Sequence, residues 1–390
     1  MSNDNPTEES VNLDSYEPTQ GPKHGFFERL YTGTGGFPIV SRRKFFYTMS
    51  AVLLLISLLS IAVRGFTLGI DFEGGSRIQI PAADISTQQV EDVYSQALGH
   101  APVAVQRVGS GDSATIQVRS ETLDLAQTEQ VQSALFDEFQ PKDSSGQVSR
   151  NAISIAEISE TWGGEITKKA LIALAVFVAL TMVYIAIRFE RDMSIAAIVS
   201  LFFNLFVTAG IYSLVGFEVT PAAVIGLLTI LGYVLYDNVV VFDKVEENTR
   251  GVLHLNKRTY AEQANLAANQ TLMRSISTTI IGILPIIGML VIAVWLLGVG
   301  TLKDLALVQL VGMIVGAYSS IFLAVPVLVS IKERWGPVAA HTKKVLDKRA
   351  GVAAAPRVPV GSGARGSRPV GTGAPRPGSR PTGKRQQRRH

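Results

Sequence analysis

The 390-residue sequence contains no cysteine, which excludes disulfide staples, thiolate nucleophiles and cysteine-ligated zinc. Histidine is nearly as scarce. Its five residues lie outside the apolar runs and show no ligand spacing, so no metal site is expected. The sequence also lacks a Gly-rich phosphate loop and a nucleophile–base pair. ATP-driven and hydrolytic chemistry are therefore not expected of this chain, and no cofactor is implied. Charge is thin as well, at 17% of residues against 47% hydrophobic.

The apolar residues are gathered into long runs. Six candidate spans fall at roughly 45–64, 169–187, 193–215, 220–242, 275–298 and 305–331, each near the ~20 residues that cross ~30 Å of hydrocarbon. The first follows a polar, acidic leader without a cleavage site, which points to an uncleaved membrane helix and not a signal peptide. Bases gather at alternate connections. Arg42, Arg43 and Lys44 precede span one, and Arg188 and Arg191 separate spans two and three. Lys244, Arg250, Lys257 and Arg258 follow span four, and Lys332, Arg334, Lys343 and Lys344 follow span six. The positive-inside rule then places both termini in the cytoplasm, with the chain multi-pass in the membrane. The expected domains are a cytoplasmic leader at 1–44, span one at 45–64, an external α+β domain at 65–168, spans two to six at 169–335 and a disordered basic cytoplasmic tail at 336–390.

The external segment carries 15 acids and 5 bases between Phe66 and Thr167. Its pattern reads as strand 70–80, helix 86–98, strands 103–108 and 114–118, helix 125–139 and strand 153–159. Ser86 and Gln89 suit a capping box and Gly99 a helix stop, while the Gly-Ser-Gly-Asp run at 109–112 suits a hairpin. The order βαββαβ is that of the ferredoxin-like unit. The fold class expected is an α-helical polytopic membrane protein of six transmembrane helices, with a small α+β ferredoxin-like extracytoplasmic domain between spans one and two. From His341 onward the tail holds 13 Lys/Arg and one acid. From about Val352 it is Pro, Gly, Arg and Ser, so it is expected to be disordered and drawn to anionic lipid, not to nucleic acid.

Asp237 is the leading candidate for chemistry. It lies in the inner half of span four, roughly 8 Å from the midpoint at ~1.5 Å per residue. A carboxylate there costs about 2.5–3.5 kcal/mol on insertion scales, so it marks an ion path or a carboxylate satisfied by neighbouring helices. Arg274, just before span five, lies at a matching depth. It suits either a pairing with Asp237 or a snorkelling anchor. Asn204, Asn238, Ser277 and Thr278 offer polar support. Asp243, six residues past Asp237 and beside Lys244, belongs to the membrane edge. Gly312, Gly316 and Ser320 form a small-residue stripe for close helix packing, and Pro285 marks a kink in span five.

Four stretches together carry a family resemblance. They are the Gly-Ile-Asp-Phe-Glu-Gly-Gly run at 69–75 with Asp71, Gly74 and Gly75, the Arg-Phe-Glu at 188–190, the run from Gly232 to Asn248, and Tyr-Ser-Ser-Ile-Phe at 318–322. With Arg274 they resemble the SecD–SecF family of the resistance-nodulation-division superfamily, over about residues 40–335. The resemblance implies proton-motive-force assistance to protein export, with SecD, the SecYEG channel, the SecA motor and secreted preproteins as partners. It places Asp237 and Arg274 in a proton-coupled intramembrane site and implies no enzymatic step. Two positions depart from the family pattern: Phe203-Asn204 stands for a His-Asp pair, and Glu160-Thr161 for a Gly-Pro. Half of a small-molecule or lipid exporter, or a scaffold stabilising SecD, remain alternative readings.

Overall fold

The computed structural model describes residues 37–82, 85–143, 145–254, 257–297, 301–334 and 336–354. The acidic leader and the Pro/Gly/Arg-rich end of the tail lie outside the described residues.

The chain passes from α1 (Arg43–Arg64) through β1 (Thr67–Leu68) and the single turn α2 (Ile70–Glu73). It then builds β2 (Gly75–Pro81), α3 (Thr87–Leu98), β3 (Ala104–Val108), β4 (Thr115–Ser120), α4 (Leu125–Phe139) and β5 (Ser154–Ile158). The next membrane helices are α5 (Glu160–Arg188) and α6 (Arg191–Val215). After β6 (Glu218–Val219) comes α7 (Pro221–Thr249). Span five is α8 (Tyr260–Gly288), continued by π-helical Met289–Leu296. Span six runs from α9 (Thr301–Tyr318) through π-helical Ser319–Leu323 into α10 (Ala324–Arg334), and α11 (Pro337–Ala354) follows. Among the described residues, six helical stretches are long and apolar enough to cross a membrane.

Between spans one and two, four strands form a wholly antiparallel sheet in the order β3-β4-β2-β5. Strand alternation turns Ile78, Ile80, Ile116 and Val118 to one face, where α3 and α4 cover them with Val90, Tyr94, Val131 and Leu135. Each such aliphatic side chain contributes about 1.5–3 kcal/mol by leaving water. Both helices start at reciprocal capping boxes, Ser86 with Gln89 and Asp124 with Gln127, which satisfy two otherwise orphaned amides apiece.

Three expectations need correction. Residues 70–73 form a helical turn and not the start of a strand, because the Gly69 carbonyl collects the Phe72 and Glu73 amides. Gly74 and Gly75 then redirect the chain at φ 83° and 124°. Span two begins at Glu160, well before 169: Ser159 caps the Trp162 amide, and Gly163 packs so tightly on the Phe72 carbonyl that a Cβ would meet it at 2.7 Å. The tail expected to be disordered from 336 is helical over Pro337–Ala354, with Pro at the helix start and Val338, His341 and Val345 buried. Residues from Asp347 onward form a separate unit, of which the end of α11 is the described part.

Candidate functional site

Asp237 lies on α7 with 3% of its surface exposed, where spans four, five and six meet. Its Oδ2 accepts a hydrogen bond from Ser275 Oγ of α8 at 2.7 Å and a second from Ser320 Oγ of the span-six π segment. Hydrogen bonds to a charged group are worth about 1.5–3 kcal/mol each, so two of them offset the cost of burying a carboxylate. A hydroxyl can also accept a proton-bearing partner. The same two serines therefore serve either protonation state of Asp237.

Close packing of spans four and six makes this contact possible. A Cβ on Gly312 would stand 2.5 Å from Ile230 Cγ2, and one on Gly316 would stand 2.5 Å from Val234 Cγ2. These two glycines precede Ser320 at four-residue steps, so α9 approaches α7 backbone-close along the stripe that ends at the carboxylate. The π segment adds the local turn: Ser319 and Ser320 are both fully buried, with Ser319 Oγ donating to the Gly316 carbonyl. Such π turns are frequent at functional sites.

The other sequence candidates occupy different places. Arg274 is exposed, and its Nη2 donates to the Tyr236 hydroxyl at 3.3 Å. Among the described residues no ion pair joins it to Asp237. Asn204 Nδ2 donates to the Gly312 carbonyl at 3.0 Å, beside the stripe. Asn238 bonds Ser200 at 3.4 Å. Thr278 returns its hydroxyl to the carbonyls of Arg274 and Ser275, and Ser277 is half-buried on the same helix. Asp243 pairs with Arg188 at 2.7 Å, both partly exposed. Sequence reasoning did not single out Ser275. Its signal was a hydroxyl opening the apolar run of span five, next to Arg274. Ser320 was read as packing and is also a hydrogen-bond donor to Asp237.

Asp71, Gly74 and Gly75 stand at the opposite end, under the sheet domain. Asp71 lies 3.5 Å from Arg77, and a Cβ on Gly75 would meet the Ser120 carbonyl at 2.5 Å. The domain is tied to the bundle there. Strands β1 and β6 pair in parallel, Arg119 donates to the Leu68 carbonyl at 2.6 Å and pairs with Glu218 at 3.6 Å, and Lys303 donates to Gln106 at 3.0 Å. The β3–β4 hairpin reaches the π-helical end of span five, where Ser110 donates to the Trp295 carbonyl at 3.0 Å and Ser113 to that of Leu296.

Comparison with known proteins fits this arrangement. A family model described as protein export membrane protein SecD/SecF, C-terminal, matches residues 140–334, which include Asp237, Arg274, Ser275 and Ser320. A second, the SecD/SecF GG motif, matches residues 59–83, which include Asp71, Gly74 and Gly75. The chain belongs to the SecD/SecF family. This SecD/SecF chain is 53% identical over 399 residues to the protein translocase subunit SecF of Mycobacterium tuberculosis (strain H37Rv), across 93% of this chain and 89% of that one. It is 30% identical over 308 residues to the protein translocase subunit SecDF of Bacillus subtilis, across 75% of this chain and 38% of that one. The crystal structure of SecDF, a translocon-associated membrane protein, from Thermus superposes with a TM-score of 0.64 at 26% identity, covering 76% of this chain and 39% of that one. The chain therefore spans about two fifths of either SecDF protein.

Proposed function

We propose that this chain is a SecF-type accessory subunit of the bacterial Sec translocase, working with SecD to assist protein export at the expense of the proton-motive force. In this reading SecD supplies the part of a SecDF protein that this chain does not span. SecYEG, SecA and emerging preproteins are the machinery it serves. The βαββαβ unit, ferredoxin-like in its order, faces outward, and both termini lie in the cytoplasm with the basic tail against anionic lipid. The relatives are named as translocase subunits, a role without a catalytic step.

The observation that carries the proton-coupled part is the Asp237 carboxylate, buried in mid-bundle and held by two serines on two other spans. In the ionised state both serines donate; protonation makes Asp237 a donor too, so one serine must turn from donating to accepting, which rearranges the tie between spans four, five and six. One charge moved across the membrane field gains about 2.3 kcal/mol per 100 mV, of the same order as one such hydrogen bond. Proton exchange at Asp237 is thus enough to bias which packing of the three spans is favoured. Arg274, exposed on the same face as Tyr236, is assigned to the partner-facing side of the site.

The test is export of a model preprotein into inverted vesicles holding this chain with SecD, at matched complex levels, with and without a proton gradient. Asp237→Asn is expected to assemble and to lose only the gradient-dependent part. An undiminished gradient response would leave the scaffold role as the better account.

A further inference from the structure

On another side of the bundle, at the end carrying the sheet domain, spans one to four surround an apolar cavity of about 370 Å³. Ile61 and Phe66 form one wall, Phe206 and Leu227 another, and α5 closes it with Thr167, Ala170, Leu171 and Leu174. Those four residues fall on one helical face. The cavity is in the size range of ligand sites, and its walls suit a hydrocarbon chain.

Two bases flank it. Arg64 lies one turn beyond Ile61, exposed, and its Nη1 donates to the Leu214 carbonyl at 2.9 Å, which holds it at the domain-side end of span three. Lys168, also exposed, sits about 100° around α5 from Thr167, at the edge of the cavity face. Lys169 lies about 200° around, and there it shares the far face with Glu165, four residues away. Glu165 is also three residues from Lys168, so it neighbours both lysines, and what separates them is that Lys168 lies nearer the cavity face. Bases are rare at this end of the spans among the described residues, so their position beside an apolar cleft calls for an anionic partner. A third observation is Thr208: it lines the cavity, is 1% exposed, and its hydroxyl has no partner among the described residues. The ester oxygens of a phospholipid are acceptors that a bare hydrocarbon wall does not offer.

We propose that this cleft binds an anionic phospholipid, one acyl chain inside the cavity and the phosphate between Arg64 and Lys168. The site is separate from Asp237 and does not depend on proton coupling.

The test places Phe206→Trp as a reporter in the full chain, purified in its complex and set in phosphatidylcholine nanodiscs. Dibrominated phosphatidylglycerol or dibrominated phosphatidylcholine is added, and quenching of the new tryptophan is followed. Half-maximal quenching is expected at about 25-fold lower mole fraction of the anionic lipid, each of the two bases conferring about fivefold. Lys168→Gln is expected to lower that preference to about fivefold, and Lys169→Gln, an equal loss of charge on the far face, to keep it. Equal midpoints for the two lipids in the unsubstituted background would overturn the proposal in favour of bulk lipid. So would equal effects of the two lysine variants. Absence of quenching by either lipid would overturn it too, since the cleft would then be covered by protein.

Discussion

Gly316→Ala tests the geometry of the carboxylate site without touching it. Ordinary carbon–carbon contact needs about 3.5–4.0 Å, yet the added Cβ would stand 2.5 Å from Val234 Cγ2 and 3.3 Å from Asn204 Nδ2. Span six must therefore move away from span four by about 1 Å, or Val234 must leave its rotamer. Overpacking of this kind costs about 1–3 kcal/mol, partly offset by the ~1 kcal/mol that Ala gains over Gly in a helix. A shift of 1 Å one turn before Ser320 also lengthens the Ser320–Asp237 contact past useful hydrogen-bond range. The expected outcome is a complex less stable by up to about 2 kcal/mol, with gradient-dependent export reduced and basal export kept. Gly232→Ala is the matched control. It sits inside α7 with nothing within 4 Å of its would-be Cβ, so only the propensity gain applies. The measurements are thermal unfolding of the purified complex in detergent and export with and without a gradient. If Gly316→Ala behaves like Gly232→Ala in both, spans four and six are not held at the distance argued here.

Ser275→Ala and Ser320→Ala each remove a hydrogen bond to the Asp237 carboxylate, and each is expected to cost about 1.5–3 kcal/mol of complex stability and to lower the gradient-dependent export; unchanged unfolding in both variants would sink the bonding scheme. The absence of native cysteine allows a clean cross-link: Ser113→Cys with Leu296→Cys, bridged by a short bifunctional thiosulfonate, should suppress gradient-dependent export reversibly on reduction. A full response in the bridged protein would show that the hairpin does not need to move on span five. In the sheet domain, Asp143 accepts from Ser145 and Gln147, which hold its carboxyl below the usual range. A depressed folded value contributes stability above the unfolded pKa of about 3.9 and loses it as pH falls through the folded one. Protection of the Ser145 and Gln147 amides, measured as exchange relative to the intrinsic rate at each pH, is therefore expected to hold near neutrality and to fall only below about pH 4; a loss that begins near pH 6 would contradict the assignment.

The parts legible in the sequence are those set by composition over many residues. Hydrophobic length gave six spans, and period-two alternation with a cap at Ser86 gave most of the strands and helices between spans one and two. What escaped was decided by single contacts. The Gly69 carbonyl makes residues 70–73 a turn, which no propensity at Ile70 or Phe72 announces. Gly163 lies inside the span-two helix, flat against the Phe72 carbonyl, a contact that only the folded chain shows. The helix at 337–354 was masked by its charge and by the Pro/Gly-rich residues beyond it. For the site, Asp237 stood out because an acid in an apolar run is costly. Its partners did not, since a serine in a membrane helix is ordinary and only a long-range contact distinguishes Ser275 from Ser277.

The separation of the two motif-bearing regions gives the architecture its logic. Asp237 lies in the half of span four farther from the sheet domain, and the Asp71–Gly75 motif lies under that domain at the other end. Spans five and six join them. At one end they carry Ser275 and Ser320, which hold the carboxylate; at the other they present the Trp295 and Leu296 carbonyls and Lys303 to the β3–β4 hairpin. Both spans are interrupted by π-helical stretches, Ser319–Leu323 beside Asp237 and Met289–Leu296 beneath the hairpin. A π turn leaves one residue more per turn than an α-helix, and moving it along the chain rotates whatever follows. The interruptions sit at the two contacts that a proton-driven motion would have to connect. A bundle of unbroken α-helices would offer only rigid tilting for the same task.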